Sequence, residues 1–342
     1  MRYFDRKWPG LMLWPLSVVY RFIIAVRNEL YNRKVFPSQK VSCFVISIGN
    51  ITVGGTGKTP TTIFLAKWLQ GRNLRVCVLS RGYGRQSRGT VIVSDGQNIR
   101  DDVKQVGDEP LMMARRLPGI AVVVDRDRIR GAKHAIEVFS PQVILLDDGF
   151  QHRRLERDLD IVTIHMDKVF GNGLMLPAGP LREPIKSLQR ADLLWLNHLE
   201  DTITEVFPYS ETPFINAYFS PISLVDGSGH ETVPQLNGVA IVAFCGLGNP
   251  DNFKKTLGTL GANLRAFMTF DDHHDYTSQD FSFIENTCQI MSASLVITTE
   301  KDWVKLPKKI QQQGHWRFLG VELVCHDRSL LENRFAAKFV ST

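Results

Sequence analysis

Cysteine is scarce in this 342-residue chain, and the five present, Cys43, Cys77, Cys245, Cys288 and Cys325, are odd in number and widely spaced. That spacing excludes a disulfide-built scaffold and offers no zinc site; each cysteine sits in or beside an apolar run, as core residues of a reducing compartment do. Long apolar runs are missing too. The stretch LMLWPLSVVYRFIIAV at residues 11–26 is broken by Pro15, Ser17 and Arg21, whereas a bilayer-spanning helix needs roughly 20 apolar residues. The body of the protein also lacks net charge. Residues 1–40 hold eight Lys or Arg against two acids and so carry the whole formal +6, while the other 302 residues balance at 33 of each sign. A basic groove for nucleic acid is therefore not required, and no nucleic-acid partner is expected. No internal repeat or low-complexity tract occurs, and with 44% hydrophobic and 22% charged residues the composition is that of an ordinary folded protein. The length suits about two domains.

The basic, apolar N-terminal segment reads as a helix lying on a membrane rather than crossing it. With a helix starting near Pro15, Ser17, Arg21 and Asn28 form a narrow polar stripe on an otherwise apolar cylinder. Trp8 and Trp14 then suit the headgroup region, and Arg2, Arg6, Lys7, Arg27, Arg33 and Lys34 face anionic lipid. A helix buried against the protein's own core is the alternative. No small-residue cleavage site follows, which argues against a signal peptide.

Residues 41–48 (VSCFVISI) form a β-branched strand pattern, followed by GNITVGGTGKTP and an apolar-periodic stretch over 61–69 that Gly71 closes. Strand, glycine loop and helix in this order aim backbone N–H groups and a helix N-terminus at a polyphosphate. Gly54, Gly55, Thr56 and Gly57 form the cradle, Lys58 is in register to reach the terminal phosphates, and Thr59 to hold magnesium. The strict glycine six residues before the lysine is missing, because Thr52 stands there. A second apolar strand, 143–146, ends in Asp147 and Asp148, where phosphate-loop enzymes carry the acid on the magnesium side. In an open α/β sheet both strand ends fall on the carboxyl edge, where ligands bind. The loop Ser80-Arg81-Gly82-Tyr83-Gly84-Arg85 reads equally as a phosphate grip or a solvated turn. Adjacent histidines in the DDHHD run, 271–275, read as a metal site or as a loop. The TTEKD run, 298–302, follows another apolar strand and is expected to buttress a domain interface, with no chemistry assigned to Lys301 or Asp302. The Gly246-Leu247-Gly248 pair lacks the third glycine and downstream acid of a dinucleotide site.

These elements imply a phosphate-loop NTPase-like α/β fold with a mostly parallel sheet. They divide the chain into an N-terminal membrane-associating segment (1–35), a kinase domain (36–230) and a smaller C-terminal α/β domain (231–342). The second boundary follows a Pro, Ser and Gly-rich stretch, 221–229, read as a linker.

The ordered set GNITVGGTGKTP, SRGYGR, VGDEP, LLDDGFQHR, GNGLMLPAGPLREP, FCGLGNPDNF, FDDHH and TTEKD resembles the tetraacyldisaccharide 4'-kinases of lipid A biosynthesis, from the N-terminal helix to about residue 305. The resemblance implies an ATP- and Mg2+-dependent kinase acting on a tetraacyl glucosamine disaccharide 1-phosphate, a lipid of the cytoplasmic leaflet of a bacterial inner membrane. The enzyme would then be peripheral, attached through its N-terminal helix, with no obligate protein partner. It further implies Lys58 and Thr59 as ATP and magnesium ligands, Asp147 and Asp148 as magnesium-side acids, and Asp108 with His273 as a proton-accepting dyad. Tyr83, Arg85, His152, Arg182 and Glu183 fall on motif positions that line the cleft. His274 directly follows His273, so motif register alone picks the ring. Bringing His273 to Asp108 requires the two domains to meet over the substrate. A rival from another class is a membrane-attached nucleotide switch of the partitioning or targeting type, which also uses GG-x-GKT but has no need of the Asp108 and His273 positions.

Overall fold

Six short runs built from Val, Ile, Leu and other apolar residues are buried at every position: β1 (Phe44–Gly49), β2 (Val76–Ser80), β4 (Ala121–Val124), β5 (Val143–Asp147), β6 (Leu159–His165) and β7 (Leu193–His198). A strand covered on both faces belongs in a parallel sheet flanked by helices, and these six lie side by side, all parallel, in the order β4-β2-β5-β1-β6-β7. β3 (Val91–Asp95) closes that edge antiparallel to β4. Alternate side chains serve opposite faces. Phe44, Ile46 and Ile48 meet Leu65, Trp68, Leu111 and Met113 from the helices Lys58–Gln70 and Asp108–Arg116. Val45 and Cys77 meet Ala132 and Ala135 of the helix Arg128–Phe139 on the other face.

The computed structural model describes residues 7–339, with side chains from Met12 onward. Arg2 and Arg6, and the side chains of Lys7 and Trp8, fall outside the described residues.

The sheet continues through β8 (Phe214–Val225), parallel to β7, with β9 (Glu231–Thr232) paired to its end. Next comes a second parallel group, β10 (Ala240–Cys245), β11 (Asn263–Thr269), β12 (Leu295–Thr299) and β13 (Trp316–Cys325), in the order β11-β10-β12-β13. The two groups meet where β8 and β13 run antiparallel. Residues 221–225, read from sequence as part of a linker, are instead strand. Pro221, which cannot donate a ladder hydrogen bond, is accommodated next to a register shift in this seam. The final helix, Ser329–Phe339, counted from sequence with the smaller domain, returns to the first core: Phe335 packs edge-on against Phe44 and Trp68 at 5.6 and 5.5 Å.

The N-terminal helix spans Lys7–Asn32 and runs through Pro15 rather than starting there. An interior proline costs about 3 kcal/mol through the missing hydrogen bond and the clash of its ring with the preceding turn, yet the same exposed apolar face continues on both sides of it. Polar groups turn inward: Ser17 Oγ donates to Met175 O at 2.8 Å, Tyr20 OH to Arg182 O at 3.1 Å, and Asn28 Nδ2 to Glu183 Oε2 at 2.9 Å. Arg21, third of the expected polar stripe, stays exposed. Met12, Trp14, Leu16, Phe22 and Ile23 point outward, each more than half exposed. No described helix is long and apolar enough to cross a membrane. The five cysteines are free thiols, four of them buried.

Candidate active site

At the carboxyl end of β1 the chain enters the loop 50–57. Thr52, which stands where the strict pattern wants glycine, makes an antiparallel bridge with Leu181, and Val53 N donates to Pro180 O at 2.8 Å. A side chain is tolerated there because this part of the loop lies against a neighbouring segment. Gly57 has no such latitude: its φ is +89°, and a Cβ would stand 2.4 Å from Asn197 Nδ2. That same Asn197 amide donates to Thr56 O at 2.8 Å, while Thr56 Oγ1 accepts from Asn50 Nδ2 at 3.0 Å and meets Thr163 Oγ1 at 2.8 Å. The loop is thus strapped from β6 and β7 and by its own first residue. The helix that follows has no side-chain cap at Gly57, which leaves its first N–H groups without an intrahelical partner, the arrangement that binds anions.

Asp147 ends β5, paired in register with Ile48 of β1. Its carboxylate accepts from Ser80 Oγ at 2.9 Å; burial, with Glu109 and Asp148 nearby, pushes it up to about 7. Asp148 adopts the left-handed region, φ 51°, and its carboxylate is reached by Lys58 Nζ at 3.5 Å and Arg182 Nη1 at 3.2 Å. Burial raises that group, but Lys58, Arg182 and Arg128 overcome it and hold it near about 2. Thr59, Asp147 and Asp148 offer hard oxygen donors of the kind magnesium takes. Among the described residues no three His, Cys, Asp or Glu side chains converge on a metal position.

These groups form one wall of a cleft of about 1120 Å³; the opposite wall carries Asn252, Asp272, His273 and Lys301. Asp108, at the start of its helix and 5% exposed, accepts Glu109 N at 2.9 Å through Oδ1, and its Oδ2 lies 2.8 Å from His273 Nδ1. The two residues come from opposite sides of the β8/β13 seam. His273 has φ 62°, a conformation rare for a side chain of its size. The hydrogen bond to Asp108 raises the imidazole above its ordinary value. Burial raises the Asp108 carboxyl, yet His273, Lys301 and Lys305 leave it below its ordinary value. His274 points elsewhere, 3.1 Å from Asp280 and stacked on Phe270.

Of the residues named from sequence, Gly54, Gly55, Thr56, Gly57, Lys58, Thr59, Tyr83, Asp147, Asp148, Arg182 and His273 line the cleft, and Asp108 sits behind His273. Three others do not reach the wall. Arg85 is 3% exposed and turned inward, donating to Val124 O at 3.2 Å and Gly89 O at 2.6 Å, because the positive φ of Gly82 and Gly84 reverses the chain; Arg81 takes the wall position instead. Glu183 is fully buried, holding Arg190 at 2.8 Å and the Asn28 amide. His152 is screened from the cleft; burial and the nearby Arg128 and Arg154 push its imidazole down to about 4.

Sequence reasoning missed the contacts that join the walls. Arg116, at the far end of the Asp108 helix, forks onto Glu300 at 2.7 and 2.8 Å through Nε and also donates to Val321 O. His165, last in β6, meets the Asn252 amide at 2.8 Å. Lys301 touches both Asp272 and His273. The TTEKD run was the only signal for Glu300 and Lys301.

The chain is similar over residues 10–339 to the family described as tetraacyldisaccharide-1-P 4'-kinase. A tetraacyldisaccharide 4'-kinase of Syntrophus aciditrophicus is 41% identical over 337 residues, covering 93% of this chain and 90% of that one. One from Aquifex aeolicus is 41% identical over 296 residues, 86% and 89% of the two chains. A crystal structure of an LpxK protein from Aquifex aeolicus in complex with ATP superposes with a TM-score of 0.80 at 36% identity, covering 96% of this chain and 99% of that one.

Proposed function

The chain belongs to the tetraacyldisaccharide-1-phosphate 4'-kinase family, and from that membership we propose which residues carry each part of its reaction. The protein is an ATP-dependent kinase that phosphorylates the 4'-hydroxyl of a tetraacyl glucosamine disaccharide 1-phosphate, a lipid A precursor, with ATP and Mg2+ as cofactors. Gly54 to Gly57 and the N-terminus of the helix that follows hold the triphosphate, and Lys58 neutralises its terminal oxygens. Thr59, Asp147 and Asp148 hold Mg2+, which when bound offsets charge on the phosphate oxygens.

His273 takes the acceptor proton. Its Nδ1–H donates to Asp108, leaving the Nε2 lone pair for the 4'-hydroxyl; the hydroxyl O–H bond breaks as oxygen attacks the γ-phosphorus, the bond from that phosphorus to the bridging oxygen opens, and ADP departs. A lone carboxylate is too weak a base for a sugar hydroxyl, whereas an imidazole oriented by one operates near neutral pH. The observation that carries this reading is the 2.8 Å Asp108–His273 contact across the seam, in the same cleft as Lys58 and Asp148. Tyr83, whose ring lies 5.0 Å from that of His273, and Arg182, which reaches Asp148, line the same cleft. The test is phosphate transfer from γ-labelled ATP to the 4' position of the lipid disaccharide. ATP hydrolysis indifferent to that lipid would favour the nucleotide-switch reading instead.

The outward apolar face of the N-terminal helix binds the membrane surface, which puts the enzyme peripherally at the cytoplasmic face of the inner membrane. The support is its inverted polarity: hydrogen bonds run to the body at Met175, Arg182 and Glu183 while Trp14, Leu16, Phe22 and Ile23 face out. Since Arg182 lines the cleft with Glu183 buried next to it, the same contacts set the site beside the acyl-chain region. Replacing Leu16 and Phe22 together by Asp releases the protein from anionic vesicles in co-sedimentation; undiminished pelleting would count against the anchor.

A further inference from the structure

Lys301 faces the reacting end of the imidazole, and the reaction scheme leaves it unused. It lies in the short helix Glu300–Trp303 directly after β12, its side chain 13% exposed. Its ammonium stands 2.7 Å from Asp272 Oδ1, 3.7 Å from Glu109 Oε1 and 3.3 Å from His273 Nε2. The other ring nitrogen of His273 is 2.8 Å from the Asp108 carboxylate.

A carboxylate only accepts and an ammonium only donates. The two neighbours therefore select one state of the ring: hydrogen on Nδ1, lone pair on Nε2. An imidazolium would aim its Nε2–H at the ammonium. The placement is firm on both sides, because Glu300, next to Lys301, is forked by Arg116 at the end of the helix that begins with Asp108. One helix thus carries the carboxylate for Nδ1 and the clasp for the segment that reaches Nε2.

We propose that Lys301 is a positioning residue for phosphoryl transfer, its ammonium holding Nε2 of His273 unprotonated and aimed into the cleft until the acceptor hydroxyl takes its place. The proposal rests on the reading of His273 as the base. The contact to Nε2 is longer than that to Asp272, so a hydroxyl displaces Lys301 from the ring while Asp272 and Glu109 keep it anchored beside the site. The charged groups around the ring are Asp108, Asp272 and Lys301, with Glu109 behind Lys301 and Lys305 facing Asp108; the Tyr83 ring lies 5.0 Å away. Asp108 draws the imidazole up, burial and Lys301 draw it down, and Asp272 draws it up.

The experiment is kcat/KM against pH with Mg-ATP and the lipid disaccharide for wild type, K301M, K301R, D272N and H273Q. Loss of the cation in K301M moves the acid limb up by about one pH unit with the high-pH rate within a few-fold, and K301R restores the limb. D272N moves the limb the opposite way, since an anion that favours the imidazolium is gone; where K301M fails to fold, K301Q, which also removes the cation, is read in its place and gives the same upward shift. Limbs coincident with wild type in both K301M and D272N overturn the role of Lys301. A limb that persists unchanged in H273Q overturns the base assignment instead.

Discussion

On one side of the cleft, Lys58 opens the helix after β1 and Asp147 ends β5, adjacent strands with no exposed position, and the loop between strand and helix is strapped by Asn50, Thr163 and Asn197. On the other side, His273 follows β11, an edge strand of which no position is buried. Beyond the β8/β13 seam, at the site itself this side meets the first wall through side chains: Asp108–His273, Glu109–Lys301 and Arg116–Glu300, with Asn252–His165 beside them. The phosphate loop is held by backbone ladders and packing, which respond little to pH or salt. The imidazole wall shares the sheet through the β8/β13 ladder, but the contacts that bring His273 and Lys301 onto the first wall are charged, and those respond to both. Chemistry that must admit a lipid and then gather around it is served by one fixed wall and one that is charge-tethered.

The sharpest way to break the comparison is at Lys58. Lys58→Ala removes a charge from the fixed wall and lowers turnover by roughly 10³-fold or more, with ATP affinity falling too, in radiolabel transfer and nucleotide titration; weakened ATP binding is what sets this wall apart. His273→Ala and Asp108→Ala each lower kcat by about 10²–10³-fold and leave ATP affinity within a few-fold. Loss of nucleotide binding in both would merge the two walls into one and remove the dyad.

Glu300→Gln tests the clasp. Both partners are 16% exposed, so stability falls by about 1–2 kcal/mol and kcat by about tenfold as the dyad loosens, read from thermal melts and steady-state rates. An unchanged rate would mean that the imidazole wall is positioned without it.

The smallest effect is in pH. His273 is raised above the about 6.5 of an unfolded chain, so its stabilisation is complete below that value and disappears as pH climbs through the folded one. Asp108 is depressed, so its contribution is present above the unfolded carboxyl value of about 3.9 and disappears as pH falls through the lower folded one. The tether is therefore strongest between about 3.9 and about 6.5 and weakens from there up through the raised imidazole value, whereas activity needs the neutral ring and rises through that same value. A melting temperature that declines across the pH interval in which kcat/KM increases, and does so less in H273Q, is the expected signature.

What could be read from the chain follows from how local each feature is. Lys58, Thr59, Asp147 and Asp148 lie at the ends of apolar runs, and a strand that must be buried on both faces fixes where its end points. Arg81 and Arg85 were not separable in this way: two glycines with positive φ between them turn one outward and the other into the core. The LREP pair divides similarly, with Arg182 on the wall and Glu183 beneath it holding the N-terminal helix. His273 and His274 are equivalent in composition, and the left-handed backbone at the first selects which ring meets Asp108.

The sequence by itself determined the strand–loop–helix cradle, the acids on the adjacent strand and the apolar helix at the N-terminus, because hydrophobic periodicity and glycine placement act over a few residues. Only the tertiary structure decided that Lys301 stands on the imidazole, that Arg116 clasps Glu300 and that the helix turns its polar side inward. Arg116 and Glu300 are 184 positions apart, the helix contacts span 155 to 162, and even Lys301 and His273 are separated by 28; such partners are chosen by how strands and helices assemble, which no local pattern encodes.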